Sequence, residues 1–226
     1  MVVGTGLLAK AFFEYENNDD IIIFASGVSN SKETSQEQFD REANLLNSYL
    51  EKYGNFKYFV YFSTCSMFDT YFERSAYTIH KLNMEQIIIN KAKKYNIFRL
   101  PQVLGQNNKN QLIGFLYHAI KNDIHFDLYD IERNIIDVDD VFNITKNFIN
   151  SKKYINSIVN IANPNNIKVY DLVKTIENLC NKKAKYSIIQ KNGNMIIDVA
   201  QVQQLHNNYK IFEENYLENR IKKYYE

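Results

Sequence analysis

Residues 57–81 read KYFVYFSTCSMFDTYFERSAYTIHK. An apolar run, KYFVYF (57–62), ends in Ser63, Thr64, Cys65 and Ser66, and a Tyr and a Lys stand four apart at the end of the stretch. A short, continuous apolar run bounded by polar residues is the pattern of a strand buried on both faces of a parallel sheet. In open parallel sheets ligands gather at the carboxyl ends of the strands, which is where these hydroxyls fall. Ser and Thr also favour such places as turn and capping residues. Ser75 is suited to cap a helix beginning beside it, and i,i+4 spacing then puts Tyr77 and Lys81 on one face. A tyrosine hydroxyl titrates near 10, and a neighbouring ammonium favours the phenolate and lowers that value. Thr64 or Ser63, Tyr77 and Lys81 therefore form a hydroxyl–phenol–ammonium set suited to carbonyl reduction or alcohol oxidation.

The spacing alone says little. Tyr53/Lys57, Tyr117/Lys121 and Tyr170/Lys174 share it, and with 17 Tyr in the chain chance supplies roughly two such pairs. Context separates them. Tyr53/Lys57 ends a helix before a strand, across Gly54, and the other two follow no Ser/Thr-tipped strand.

Outward from this stretch, strand-like and helix-like segments alternate, which predicts an α/β fold with a parallel sheet. IIIFA (21–25), KYFVYF (57–62) and IFRL (97–100) read as buried strands, and INSIVNIA (155–162) as a strand nearer an edge. EQFDREANLLNSYLEKY (37–53) carries Phe39, Ala43, Leu46, Tyr49 and Leu50 on one helical stripe. AYTIHKLNMEQIIINKAKKY (76–95) repeats Tyr77, Lys81, Met84, Ile88 and Ala92 at or near i,i+4. VYDLVKTIENLC (169–180) and ENYLENRIKKYY (214–225) are further helices.

VVGTGLLAKAF (2–12) sets Gly4 and Gly6 after a short apolar run and before an amphipathic helix. A glycine turn between strand and helix lets a phosphate approach the backbone, and the pattern is GxGxxA with Ala9 third. The next strand ends in SGVSN and offers no acid for a ribose at its tip.

Composition narrows the classes. The chain has 226 residues, 45% hydrophobic, with a net charge of +1, which argues against a dedicated nucleic-acid binder. Two cysteines, Cys65 and Cys180, without a CxxC or a Cys/His cluster, point to neither a disulfide framework nor a metal site. The start lacks the pattern of a signal peptide and no apolar run is long enough to span a membrane, so a soluble cytoplasmic protein is expected. Two Pro and seven Gly leave no linker-like stretch, so residues 1–226 are expected to form a single domain. Cys65 is expected as a small buried residue at the strand tip rather than a reactive thiol.

The ordered set GTGLLAKAF, IIFASGVSNS, NLL, VYFSTCSMFD, YTIHK, FRLPQVLG and RNIIDVDDV resembles the extended short-chain dehydrogenase/reductase superfamily, the nucleotide-sugar epimerases, dehydratases and reductases. The resemblance spans about residues 2–180 and is closest in form to dTDP-4-dehydrorhamnose reductase-like members. It implies a Rossmann-like, doubly wound parallel sheet with a small C-terminal mixed α/β substrate region. The nucleotide-binding core would be roughly 1–105 and 134–165, and the substrate-binding region roughly 106–133 and 166–226. It implies NAD or NADP as cofactor and a nucleotide-sugar substrate, in surface-polysaccharide biosynthesis.

Under the resemblance Tyr77 is the general acid/base, Lys81 holds the nicotinamide ribose and tunes Tyr77, and Thr64 orients the substrate oxygen. Gly4, Gly6 and Leu8 would lie under the pyrophosphate, Ala25, Ser26 and Gly27 beside the adenosine and its ribose, and Pro101 and Val103 near the nicotinamide. Cys65, Ser66, Gln102 and Arg133 would face the substrate, with Arg133 at its diphosphate. Asp139 and Asp140 would be structural carboxylates at a helix start. By analogy, helices 36–53 and 75–95 would form a homodimer interface, and Ile87–Ile88–Ile89 gives one of them a wide apolar face.

The chain also departs from the family. Only about 20 residues separate Gly4 from Ala25, so one strand–helix–strand segment, with its ribose-binding acid or NADP-marking arginine, is missing. The segment from Thr64 to Tyr77 is short as well. A non-catalytic nucleotide-binding or regulatory protein that keeps the fold is the alternative.

Overall fold

The computed structural model describes residues 1–106, 111–205 and 212–225. The chain runs β1 (Val2–Val3), α1 (Leu7–Ala11), β2 (Ile21–Phe24), α2 (Gln36–Tyr53), β3 (Tyr58–Thr64), α3 (Ala76–Lys91) and β4 (Lys94–Leu100). After these come β5 (Gln102–Leu104), α4 (Leu112–Lys121), β6 (Phe126–Asp130), β7 (Glu132–Arg133), β8 (Ile135–Asp137), α5 (Val138–Ser151) and β9 (Ser157–Asn160). The described elements end with β10 (Ile167–Lys168), α6 (Val169–Cys180), β11 (Tyr186–Gln190), α7 (Ala200–Leu205) and α8 (Tyr216–Tyr225).

Five strands form one parallel sheet in the order β1-β2-β3-β4-β9. Successive side chains of a strand point to opposite faces, and β3 shows why helices cover both. Val60 and Phe62 join Phe12, Phe98, Val141, Ile144 and Phe148 on the α1/α5 face. Phe59 and Tyr61 join Leu46, Leu50, Met84 and Ile88 on the α2/α3 face. The sheet is thus doubly wound, as expected. Because β2 follows α1 directly and pairs with β1, β1 is an edge strand, where a full dinucleotide fold continues outward. That edge is blunted: the Val2 N–H donates to Glu16 Oε2 at 3.2 Å, and the Met1 ammonium donates to the Asn18 and Ile21 carbonyls.

Two expected boundaries move. The helix expected over 76–95 ends at Lys91, where Ala92 turns extended and Lys94 opens β4 in register with Tyr58. The strand expected over 97–100 therefore begins three residues earlier. Its Asn96, a polar residue hidden mid-strand, donates to the carbonyls of Tyr154 and Ser157, so its burial carries no unmet hydrogen bond.

The C-terminal part builds a second cluster. β6 pairs in parallel with β11, and α4, α6 and α8 pack Leu116, Ile120, Leu172, Val173, Ile176 and Ile221 around Phe126 and Leu128. α7 returns to the main sheet, where Val202 joins the α1/α5-face core. Residues 194–195 cross the strand-tip loop: the Thr70 N–H donates to the Asn194 carbonyl, and Asp69 bridges Met195.

Phe98 is fully buried between Phe62 and Phe148, with ring centroids 6.4 and 5.8 Å away. Truncation there leaves a cavity that rigid strands cannot close. Phe98→Ala should lower unfolding stability by about 3–5 kcal/mol, read from the urea midpoint against the parent chain.

Candidate active site

β3 delivers Thr64 to its carboxyl end, and a short helical turn, Ser66–Phe68, bends the chain away. The Thr64 hydroxyl donates to Ser66 Oγ at 2.9 Å, and the Ser66 N–H returns a bond to Thr64 Oγ1 at 3.0 Å. Ser75 caps α3 as expected, accepting from the Thr78 N–H. The first turn of α3 then places Tyr77 near the strand tip, close enough for the Thr64 hydroxyl to favour its phenolate. Burial pushes that phenol up to about 12; the Thr64 hydroxyl pulls it down only in part, and Glu42 and Cys65 push the same way as burial.

A lowered Tyr77 was the expectation, with Lys81 as the cause. Lys81 instead turns to a carboxylate absent from the sequence reading: its ammonium donates to Glu42 Oε1 at 3.1 Å and sits 4.4 Å over the Tyr61 ring. Glu42 is 0% exposed and Lys81 2%. Tyr61 Oη donates to the same Glu42 oxygen at 2.6 Å, the Val28 N–H donates to Oε2 at 2.7 Å, and His80 Nε2 lies 3.0 Å from Oε2. Burial by itself would raise the Glu42 carboxyl. The Lys81 charge and the bonds from His80, Tyr61 and Val28 overcome it and hold the group ionised, well below the usual carboxylate range. Burial pulls the Lys81 ammonium below the ordinary lysine value, against the attraction of Glu42 and Glu85. Glu85, one turn on from Lys81, is itself tied to Arg99 of β4 by two bonds of 2.9 and 2.6 Å and accepts from Ser63 Oγ.

Glu42 and Glu85 left a mark in the sequence. Glu42 stands three residues after Phe39 and four before Leu46, on the apolar stripe of α2. Glu85 stands four after Lys81 on the buried face of α3. A charge on an apolar stripe demands a buried partner.

The residues expected at a cofactor separate into two groups. Gly4, Thr5 and Gly6 form an exposed turn between β1 and α1. Gly4 has φ 128°, and a Cβ there would meet the Ala25 carbonyl oxygen at 2.5 Å, so only glycine fits. Leu8 packs into the core rather than presenting a free face. Ala25 pairs with Val3 through its N–H, and the Ser26 carbonyl faces the Arg41 guanidinium at 3.4 Å. Gly27 lies against the Glu42–Lys81 pair: a Cβ would come within 2.8 Å of both Glu42 Oε1 and Lys81 Nζ. Pro101 is half-buried after β4, and Val103 packs on the sheet core.

Of the substrate-side residues, Gln102 is exposed on β5 and Ser66 is half-buried beside Thr64. Cys65 does not border that space. It is 0% exposed, held by its N–H to the Leu100 carbonyl, and burial pushes its thiol up, as suits a structural residue. Arg133 is paired with Asp69 at 3.0 Å and lies 5.4 Å over the Phe72 ring. Lys191 lies over the same ring at 5.2 Å, and Phe72 meets Tyr129 edge-on. Asp140 is structural: it accepts from Tyr216 Oη and pairs with Arg220, while Asp137 caps α5 through the Asp139 N–H. Among the described residues no cluster of His, Cys, Asp or Glu could hold a metal ion, and no helix is long and apolar enough to cross a membrane.

No protein-family model matches the chain, and no curated protein is similar to it in sequence. Solved structures do match in fold. The RMD enzyme of Pseudomonas aeruginosa complexed with NADPH superposes with a TM-score of 0.72 at 14% identity, over 91% of this chain and 80% of that one. UDP-glucuronic acid 4-epimerase of Bacillus cereus, solved with UDP-glucuronic acid and NAD, gives 0.70 at 16% identity, over 98% and 80%. The dTDP-glucose 4,6-dehydratase of Bacillus anthracis with NAD gives 0.70 at 14%, over 96% and 75%. The chain has the fold of these nucleotide-sugar enzymes.

The buried phenol of Tyr77 should stay protonated through the ordinary pH range. In protein carrying carbon-13 at tyrosine Cζ, the resonance that Tyr77→Phe removes should hold its neutral position up to about pH 10. A shift below about pH 9 would show that the phenol is not desolvated as described.

Proposed function

We propose that the chain is an NAD(P)-dependent oxidoreductase or epimerase acting on a nucleotide-activated sugar in the cytoplasm, with surface-polysaccharide synthesis as its setting. The observation that carries this reading is the placement of Thr64 at the carboxyl end of β3 with Tyr77 close to it on α3, and Lys81 one turn further along the same helix. The fold shared with enzymes solved with NAD, NADPH and UDP-glucuronic acid supports it.

Bound dinucleotide supplies the hydride transfer. The residues fit its pyrophosphate: Gly4 and Gly6 leave an open backbone turn, while Lys81 lies buried behind the Gly27 backbone. On the adenosine side β1 is the edge of the sheet among the described residues, and none of them forms an outer strand with a ribose-binding acid. Tyr77 holds its proton at rest, which is the form that donates to a sugar oxygen as a carbonyl is reduced. Thr64, bonded to Ser66 and close to Tyr77, marks where that oxygen would sit. Arg133 and Lys191 around Phe72 and Tyr129 offer cations for a diphosphate and aromatic edges for a base. These support residues 106–133 and 166–226 as the substrate-binding region and 1–105 with 134–165 as the nucleotide-binding core.

A second reading, a non-catalytic nucleotide-binding protein, is favoured by one observation: the Lys81 ammonium is engaged by Glu42 and not by Tyr77. Turnover separates the two. With NADPH or NADH and a panel of UDP- and dTDP-4-keto sugars, the wild-type chain should consume reduced cofactor, and Tyr77→Phe should lower kcat about 100-fold or more while its dinucleotide Kd stays unchanged. Equal turnover in both proteins, or none in either with dinucleotide still bound, would overturn the catalytic reading.

The same proposal includes a homodimer through α2 and α3. Their outer faces leave Ile79 49% exposed and Leu45, Tyr49, Ile87 and Ile89 half-buried. Light scattering at micromolar concentration should give twice the chain mass; a monomer mass would remove the dimer from the proposal.

A further inference from the structure

Lys81 is buried among groups from several elements. Glu42 of α2 accepts its hydrogen bond, and the Tyr61 ring of β3 lies under it. From α3 itself comes Glu85, neutralised by Arg99 of β4, while His80 bonds the second oxygen of Glu42. The backbone of Gly27, after β2, lies so close that a methyl group there would collide with the ammonium. Of the two carboxylates, only Glu42 bonds Lys81 directly. Glu42 is also the group that joins Lys81 to the loop after β2, since its second oxygen takes the Val28 N–H.

We propose that Glu42 is a positioning residue for this site, its carboxylate keeping the Lys81 side chain charged and fixed against the backbone of Gly27, in the loop that would border a dinucleotide. This rests on the dinucleotide-binding reading above. An ammonium sealed from water reverts to the neutral amine unless an ionised partner compensates it. A neutral Lys81 would loosen its hold on residue 42 and, through it, on the Gly27–Val28 loop that would border the dinucleotide. Glu42 supplies that compensation and is itself secured by Tyr61, His80 and Val28, so the lysine is held by a group that cannot swing away.

Glu42→Gln tests this, since it keeps the shape and removes the charge. Two readouts are needed. In protein labelled with nitrogen-15 at lysine Nζ, the signal that Lys81→Met removes should titrate at least about two pH units lower in Glu42→Gln than in the wild type. Fluorescence titration with NADPH and with NADH should show dinucleotide affinity about tenfold weaker than wild type at pH 9 and within about threefold of it at pH 6, where Lys81 recharges. A residue that merely supports the fold would weaken binding equally at both pH values.

An unchanged Lys81 titration overturns the proposal, as does a pH-independent affinity loss. If the wild type itself binds neither dinucleotide at any pH, the functional reading fails, and the Lys81 titration still decides the role of Glu42. Should Glu42→Gln not fold, Glu42→Asp takes its place. It retracts the carboxylate by one methylene, and the Lys81 titration should move in the same direction by a smaller step.

Discussion

The carboxylate of Glu42 reaches no solvent, and the α2/α3 side of the molecule is organised around it. Its donors come from β3, from α3 and from the loop after β2, so one side chain on α2 ties together three separate pieces of chain. An ionised carboxylate so placed is tolerated only when charge and hydrogen bonds replace its hydration, and removing one partner of such a pair costs about 3–5 kcal/mol. The sign with pH follows. Glu42 is held below its unfolded value, so its contribution is complete above the ordinary carboxylate range and fades as pH falls through the folded value. This face therefore adds charge pairing to the apolar packing of Phe24, Phe59, Leu46 and Ile88. The opposite face, with Phe12, Phe62, Phe98 and Phe148, is specified by shape.

The sheet's outer edge imposes the second constraint. Where a full dinucleotide fold would place further strands beyond β1, this chain turns through α1 and a short helical turn, Phe13–Tyr15, straight into β2. Parallel strands exposed at an edge invite pairing with other chains. Here β1 is only two residues long, Glu16 occupies the Val2 N–H, and the Met1 ammonium is tied to two carbonyls. The glycine turn stays open at its tip, while the side where an adenosine would rest carries no strand.

Most of the architecture was legible because local periodicity carried it. The strand runs at 21–25 and 57–62 and the stripe of α2 sit within a few residues of the observed elements, and the order of the motifs foretold the missing segment. The misses share a cause: each depended on contacts between residues far apart in the chain. Asn96 looks like a strand boundary until Tyr154 and Ser157 are brought to it. Arg133 looks like a free cation until Asp69, 64 positions earlier, is beside it. The charge state of Lys81 depends on a glutamate 39 residues upstream, which no spacing rule connects to it. Cys65, named both as a buried strand-tip residue and as a substrate neighbour, proves to be the first, because β4 packs its Leu100 carbonyl against the Cys65 N–H.

The four Tyr/Lys pairs show why contact and spacing together still do not identify chemistry. On α4, Lys121 donates to Tyr117 Oη at 3.2 Å, and on α6, Lys174 lies 5.0 Å over the Tyr170 ring. Those lysines reach solvent, where such contacts are weak. Tyr77 and Lys81 have the same spacing and are not bonded to each other, yet both are sealed from solvent and each is matched to a different partner. Burial is what gives a proton or a charge leverage, because only in a dry site does moving it cost enough to matter. The pair on α3 is distinguished by its surroundings, Thr64 on one side and Glu42 on the other, and those surroundings were assembled by the sheet rather than by the helix that carries the motif.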